Sequence, residues 1–357
     1  HARGDQLLIM VANRLRVVVN AESGSSGRQR PLLARLAGDE FTMFFPAVAT
    51  LAEVERIARR VVVAVSEPFE LCSHSVDIGA SIGVAVSPNH GSSVESLMRA
   101  ADIAMYRAKE SGGGRHCLFD SALADEHQEK VEIEKSLIDA VQRNHFTLAF
   151  QPQMSLVTGE IVGAEALLRW NHPELGLIPP LELIPLAERS GLMRPLTRWI
   201  INAALGQQAE WEASGLRIAI AINLSIWDLE DPSFTRYVER CIRQHGATPG
   251  RIEFEITESM MMTDPEHTLA TLTRLRQLGV RLSIDDFGTG FSSLAYLKRF
   301  PVTAIKIDKS FVQKIPDGEK DQAIVHSIVS LAHSLGLDVV GEGVEDAACL
   351  KLLVDLG

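Results

Sequence analysis

The sequence predicts an α/β chain of two parts, an α+β domain followed by a (β/α) barrel. Three observations carry that prediction. From residue 145 onward, short apolar strands alternate steadily with amphipathic stretches of helix length, the pattern of a parallel sheet with helical crossovers. Ahead of it, helices and strands follow in a less regular order. Between the two, residues 121–144 read SALADEHQEKVEIEKSLIDAVQRN, charged and free of Gly and Pro, which predicts a connecting helix. The division read from this is 1–121, a connecting helix over 122–144, and a barrel over 145–357.

The first part opens on GDQLLIMVANRLRVVV, apolar at helical spacing, followed by the polar Gly/Ser-rich loop NAESGSSGRQRP. LLARLAGDEFTMFF places two apolar runs around a Gly-Asp turn, a hairpin signal. LAEVERIARRVVVAV is helical again and VDIGASIGVAV reads as one strand. VESLMRAADIAMYRAKESGGG is a helix stopped by glycines.

In the second part FTLAFQPQMSL and EIVGAEALLRW flank VTG and predict an antiparallel hairpin. The strands RIAIAINLS, RIEFEITES, VRLSIDDF, TAIKID and LDVVGEGVE follow, each separated from the next by a helix-length stretch. So many strand–helix units in series favour a closed barrel over an open sheet, and the count is one strand short of eight. The chain starts without Met and stops just after a helix, so it is expected to be a fragment.

Barrel enzymes carry their chemistry where the strands end. Those ends supply Glu165, Asn223, Glu255, the adjacent pair Asp285 and Asp286, then Lys306 with Asp308, and Glu342. A single carboxylate there is a hydrated rim residue. Several converging on one rim are another matter, because carboxylates within about 4 Å repel by several kcal/mol at an effective dielectric near 20. All-oxygen donors of this kind suit hard divalent ions, Mg²⁺ or Mn²⁺, and a two-metal site is a known solution for phosphodiester cleavage. Asp285 and Asp286 then serve as one carboxylate per ion or with one bridging. Lys306 is either positive charge at the phosphate or a surface lysine, and Arg169 either a phosphate clamp or half of a rim salt bridge.

Composition narrows the class. The 357 residues are 46% hydrophobic, enough for two ordinary cores, and the formal net charge is −11, which argues against a duplex-binding surface. No apolar run has the length of a membrane span, and no signal-peptide pattern is visible at the start. Cys72, Cys117, Cys241 and Cys349 are scattered without metal-type pairing, which suits a reducing cytosol.

The motifs EALLRW, INLS, EITES, IDDFGTGFSSL, IKIDKSFV and GEGVE, in this order over residues 145–357, resemble the EAL-domain cyclic di-GMP phosphodiesterases. The resemblance implies a TIM-like barrel that hydrolyses cyclic di-GMP to linear pGpG at a two-metal Mg²⁺ or Mn²⁺ site. It implies metal ligation by Glu165, Asn223, Glu255 and Asp285, with Asp286 at the second metal. Lys306 and Glu342 take catalytic roles, Gln151, Arg169 and Asp308 lie on the substrate side, and Glu258 anchors the DDFGTGFSS loop. A homodimer through the barrel is implied as well. The family's last strand, with its glutamine-glycine pair, is absent. Residues 1–121 resemble a GGDEF cyclase-like domain through LLARLAGDEFTMFF, SIGVAV and ADIAMYRAKESGGGRH. Ala37 replaces the first signature glycine, while Gly38, Asp39 and Glu40 remain for nucleotide and metal. Arg28 of the product-inhibition pair is present, but Pro31 stands where its acid belongs. The expected function is a cytoplasmic phosphodiesterase with a regulatory, GTP-sensing first domain, membrane-anchored only if a segment ahead of this sequence provides it. The alternatives are a bifunctional cyclase/phosphodiesterase and a catalytically silent cyclic di-GMP sensor.

Overall fold

The computed structural model describes residues 2–22, 30–46, 48–71, 74–143, 145–289 and 294–356. The chain divides into two compact units, His1–Glu132 and Ile133–Gly357. Arg28 and Cys72 lie outside the described residues, as do residues 290–293 of the DDFGTGFSS loop.

In the first unit, helices Ala2–Ala21 and Leu51–Ser66 close a small core of Val11, Leu15, Val18, Val61, Val65 and Phe69. Thr50 starts the second helix by accepting the Glu53 amide. A reciprocal Ser93–Ser96 box starts the helix Val94–Glu110. The Gly-Asp hairpin forms between Leu32–Ala37 and Glu40–Phe44. The stretch VDIGASIGVAV is not one strand. His74–Val76 pairs antiparallel with Phe69–Leu71, whereas Ile82–Val84 pairs parallel with His116–Leu118. The two pieces have different partners, and Gly79 sits in the break, where a strand has no side chain to pack.

The second unit is built on seven strands paired in chain order: Phe146–Met154, Ile161–His172, Ala219–Asn223, Ile252–Thr257, Arg281–Phe287, Ala304–Ile307 and Asp338–Gly341. The first pair is antiparallel and the rest are parallel, with helices in the connections. Ile161–His172 runs on well past Glu165, so Glu165 is mid-strand rather than at a strand end. The extension is paired by Phe146–Phe150 on one edge, and its last three residues by Gly176–Ile178 on the other. Alternation sorts the residues. Ile220, Ile222, Ile252, Phe254, Ile256, Leu282, Ile284, Ile305 and Ile307 join the buried apolar core with residues of the surrounding helices. Their neighbours along the strands are Asn223, Glu253, Glu255, Ser283, Asp285 and Lys306, which face the other side. Among the described residues no pairing joins Phe146–Met154 to Asp338–Gly341.

The sheet is nevertheless strongly curled. Strands of a flat sheet lie about 4.8 Å apart, so four steps would separate the Lys306 and Glu165 strands by roughly 19 Å. Lys306 Nζ is instead 3.1 Å from Glu165 Oε2. Among the described residues no helix is long and apolar enough to cross a membrane.

Gly83 shows how tightly the first unit is assembled, since a Cβ there would meet the Ala101 carbonyl oxygen at 1.8 Å. Gly83→Ala should therefore push the helix Val94–Glu110 off its strand at a cost of roughly 3 kcal/mol. Hydrogen exchange should show the amides of that helix losing about a hundredfold in protection. Unchanged protection would mean the helix does not rest on this strand.

Candidate active site

Lys306 organises the rim. It is 1% exposed, in the strand Ala304–Ile307 between two isoleucines that face the helices. Its ammonium donates to Glu255 Oε2 at 2.8 Å and Glu165 Oε2 at 3.1 Å. Glu342 Oε1 lies 2.7 Å away and Asp285 Oδ1 3.0 Å away, the latter outside hydrogen-bonding angles and therefore an electrostatic neighbour. Each carboxylate comes from a different strand or strand end. The surface-lysine reading of Lys306 is thus replaced: alternation turns it inward, away from water.

Asn223 donates to Glu165 Oε1 at 2.7 Å. The strand register sets Asn223 beside Glu255 and Ala221 beside Glu165. Gln151 lies opposite Glu165 across the antiparallel pair, and directly opposed side chains share a face. Arg169 is four residues farther along the Glu165 strand, on the same face by alternation, and donates to the Leu168 carbonyl.

The two adjacent aspartates share the rim through a break in the strand. Pairing with the Lys306 strand is regular to Ile284↔Ile305 and resumes at Phe287↔Ile307, so Asp285 and Asp286 together oppose Lys306. This is a β-bulge. Asp286 has φ +52, the left-handed region that aspartate tolerates better than most residues. Without the bulge, alternation would send one of the two carboxylates into the apolar layer. With it, carboxylate oxygens of Asp285, Asp286 and Glu342 come within 4.8 Å of one another. Asp308 adds its negative charge to the neighbourhood of Asp286, and it caps the next turn by accepting the Ser310 amide at 3.0 Å.

The electrostatics follow. Burial pulls Lys306 toward losing its proton, but Glu255, Asp285, Glu165 and Glu342 outweigh this and hold it above the ordinary lysine range. Burial drives Glu255 well above the usual carboxylate range; Lys306 opposes that, while Glu165 and Asp285 add to it. Asp286 is raised by burial and by Asp285 and Asp308, and Glu342 by burial against the pull of Lys306. Asp308 goes the other way: burial works against it, but the Ser310 hydrogen bonds bring it below its usual value. Four carboxylates around one ammonium, with Asp286 beside them, leave negative charge uncompensated. Glu255 Oε1 is buried with no hydrogen-bond partner. An all-oxygen set with an orphaned carboxylate oxygen fits a hard divalent cation.

Glu258, buried at the start of the helix Glu258–Thr263, accepts the Gly288 amide at Oε2, 3.1 Å away. It reaches the turn just after Asp286. In the first unit Gly38 turns the hairpin with φ +48, Ala37 pairs with Glu40, and Arg35 donates twice to the Gly38 carbonyl. Ala37, Asp39 and Glu40 are exposed. A recess of about 680 Å³ between the first unit's two core helices is lined by Arg14, Arg56, Arg59 and Arg60. Those guanidinium groups are already taken by Glu22, Glu55 and backbone carbonyls. The sequence reading missed the bulge, which only strand register reveals. It also missed the tight packing around Gly288 and Gly343, whose signal was a glycine one or two residues after an acidic one.

Residues 134–357 match the family model of the EAL domain, and residues 1–115 that of the diguanylate cyclase, GGDEF domain. The chain is 38% identical, over 100% of its length, to the bifunctional diguanylate cyclase/cyclic di-GMP phosphodiesterase MucR of Pseudomonas aeruginosa, covering 51% of that protein. It is 36% identical, over 97% of its length, to the cyclic di-GMP phosphodiesterase PdeR of Escherichia coli, again covering 51%. The chain thus spans about half the length of these relatives. The solved MucR phosphodiesterase in complex with c-di-GMP aligns with a TM-score of 0.61 at 38% identity, over 64% of this chain and 92% of that one. The FimX EAL domain of Pseudomonas aeruginosa bound to c-di-GMP gives 0.59 at 27% identity, over 64% and 90%.

Lys306→Met removes the one ammonium of this cluster and should cost about 3–5 kcal/mol at neutral pH in chelator. Glu255 and Glu342, already raised by burial, would lose the ammonium that opposes the shift and rise further above their unfolded values, so the variant's folded state binds extra protons. Its stability should then fall as pH rises and return on acidification. Denaturant melts at pH 5 and pH 7.5 test this, and a variant melting like the wild type at both would show that the lysine does not balance the cluster.

Proposed function

The chain belongs to the EAL domain family, with a diguanylate cyclase GGDEF domain ahead of the barrel, and from that premise we propose that the barrel hydrolyses cyclic di-GMP to linear pGpG. The observation that carries this reading is the gathering of four carboxylates, from four strands, on one buried lysine beside the Asp285–Asp286–Glu342 cluster. Cyclic di-GMP complexes of EAL relatives support the choice of substrate.

Glu165, Asn223, Glu255 and Asp285 would hold one divalent ion, and Asp286 the second. Bound Mg²⁺ or Mn²⁺ would offset phosphate charge and supply an activated water. The remaining roles belong to the chain itself. Lys306 draws its four carboxylate partners toward one point and opposes the burial that raises Glu255 and Glu342. Glu342, half-buried and raised in proton affinity, stands at the cluster's edge, where it can take a proton from water. That water's oxygen attacks phosphorus, the P–O3′ bond breaks, and the departing 3′ oxygen takes up a proton. Gln151 and Arg169, on the Glu165 face, would orient the dinucleotide, with Asp308 alongside. Glu258 would hold the turn after Asp286 through the Gly288 amide.

Incubation of the chain with cyclic di-GMP and Mg²⁺ or Mn²⁺, followed by chromatography, tests the reading. The expected product is pGpG, formed only with metal. Glu165→Ala should slow the reaction roughly a thousandfold, a barrier increase of about 4 kcal/mol. Intact ligand bound without turnover would make the barrel a sensor instead.

The first unit is read as regulatory. Its Asp39–Glu40 pair is exposed at a hairpin turn, so nucleotide and metal must bring most of their own ordering. The helix Ser121–Arg143 continues from that unit into the barrel's core through Ile133, Leu137 and Ala140. GTP should change the hydrolysis rate of the full-length protein several-fold, and Asp39→Ala with Glu40→Ala should remove the effect. The bifunctional name of MucR favours a second reading, which robust cyclic di-GMP synthesis without a GTP effect on hydrolysis would establish in place of the first.

A further inference from the structure

The one-turn helix Lys309–Val312 follows directly on Lys306 and Asp308, and two acidic turns press on it. Gly288, two residues after Asp286, has φ +101, and a Cβ there would lie 3.0 Å from Phe311 Cε2 and 3.4 Å from Cζ. Gly343, next to Glu342, has φ +70, and a Cβ there would lie 2.6 Å from Lys309 Cβ and 3.3 Å from its Cα. The helix is itself fixed. Val312 is fully buried and its carbonyl accepts the Cys349 thiol, while Gln313 donates to Glu345 at 2.7 Å.

We propose that Phe311 and Lys309 are positioning residues: this turn seats the Asp285–Gly288 bulge and the Glu342–Gly343 turn, and so sets the spacing of their three carboxylates. The inference rests on the metal-site reading above and extends it to residues that touch neither metal nor substrate. The bulge needs such a seat. A left-handed aspartate is costly unless its surroundings over-determine it. Glu258 holds Gly288 on one side by its amide, and the Phe311 ring closes the other. Both glycines have positive φ, and a β-carbon would collide with Lys309 at Gly343 and press tightly on the Phe311 ring at Gly288.

The test is Mn²⁺ binding to the whole chain by calorimetry, without substrate, alongside thermal melts in chelator. Phe311→Ala should weaken Mn²⁺ binding about tenfold, and Phe311→Leu, which keeps most of the apolar bulk, should restore most of it. Val238→Ala, at a fully buried position in the helix Phe234–His245, should lower the melting midpoint to a similar degree with Mn²⁺ affinity unchanged. Wild-type affinity in Phe311→Ala, or an equal loss in Val238→Ala, overturns the proposal, and so does a wild type that takes up no Mn²⁺. Mn²⁺ binding by a wild type that hydrolyses no cyclic di-GMP counts against the reaction, while the Phe311 titration still decides the seat.

Discussion

The second unit is constrained by one buried ammonium. An ammonium taken out of water costs several kcal/mol, and a carboxylate taken out alone costs as much. Lys306 and its four carboxylates can occupy the interior only together. Because the partners come from strands up to four places apart, the sheet must curl until they meet. The apolar layer of isoleucines supplies the drive to fold, since its area is removed from water whatever the curvature. The charges then select the curvature. Hydrophobic burial makes the sheet, and the lysine decides which sheet it is.

The bulge at Asp285 and Asp286 is the local exception that makes this layout acidic enough for cations. A regular strand offers the rim one residue in two. By giving up a step of pairing, the Arg281–Phe287 strand offers two in a row, at the expense of a left-handed residue and an unpaired backbone position. Phe287 returns to the buried layer directly afterwards, so the break does not spread. Glu258 and Phe311 bracket the turn beyond it.

Strand identity was legible from alternation: AIKI and IEFEIT each place a charged residue between apolar ones, and the charges face one side. The rim residues were legible for the same reason. Register was not. Nothing in SIDDF says that two aspartates will oppose one lysine, because a bulge depends on the neighbouring strand as much as on its own sequence. Nor does EALLRW tell where its strand will end, since the extension past Glu165 is paired by Phe146–Phe150 and its last residues by Gly176–Ile178 folding back on them. VDIGASIGVAV failed as a single strand because each half found a different partner. Lys306 was ambiguous from sequence because a lysine between isoleucines looks the same whether it reaches water or carboxylates; only curvature decides.

The two acidic motifs of the chain sit at opposite extremes of preorganisation. Asp39 and Glu40 stand in water at a hairpin turn, where high dielectric leaves their mutual repulsion weak. A cation there would gain little from relieving repulsion. The barrel cluster carries its repulsion in the folded state, with Glu255 and Asp286 held toward protonation by burial and then by neighbouring carboxylates. A divalent ion that binds only the folded barrel relieves that stress and stabilises the unit as its concentration exceeds its dissociation constant. By the same linkage, protons would compete with a metal for the carboxylates, so acid would weaken the site. A cluster this strained is suited to work with its cations in place. A module that only recognised a dinucleotide would need its contacts to sugar, base and phosphate, and would gain nothing from crowding four carboxylates around one lysine.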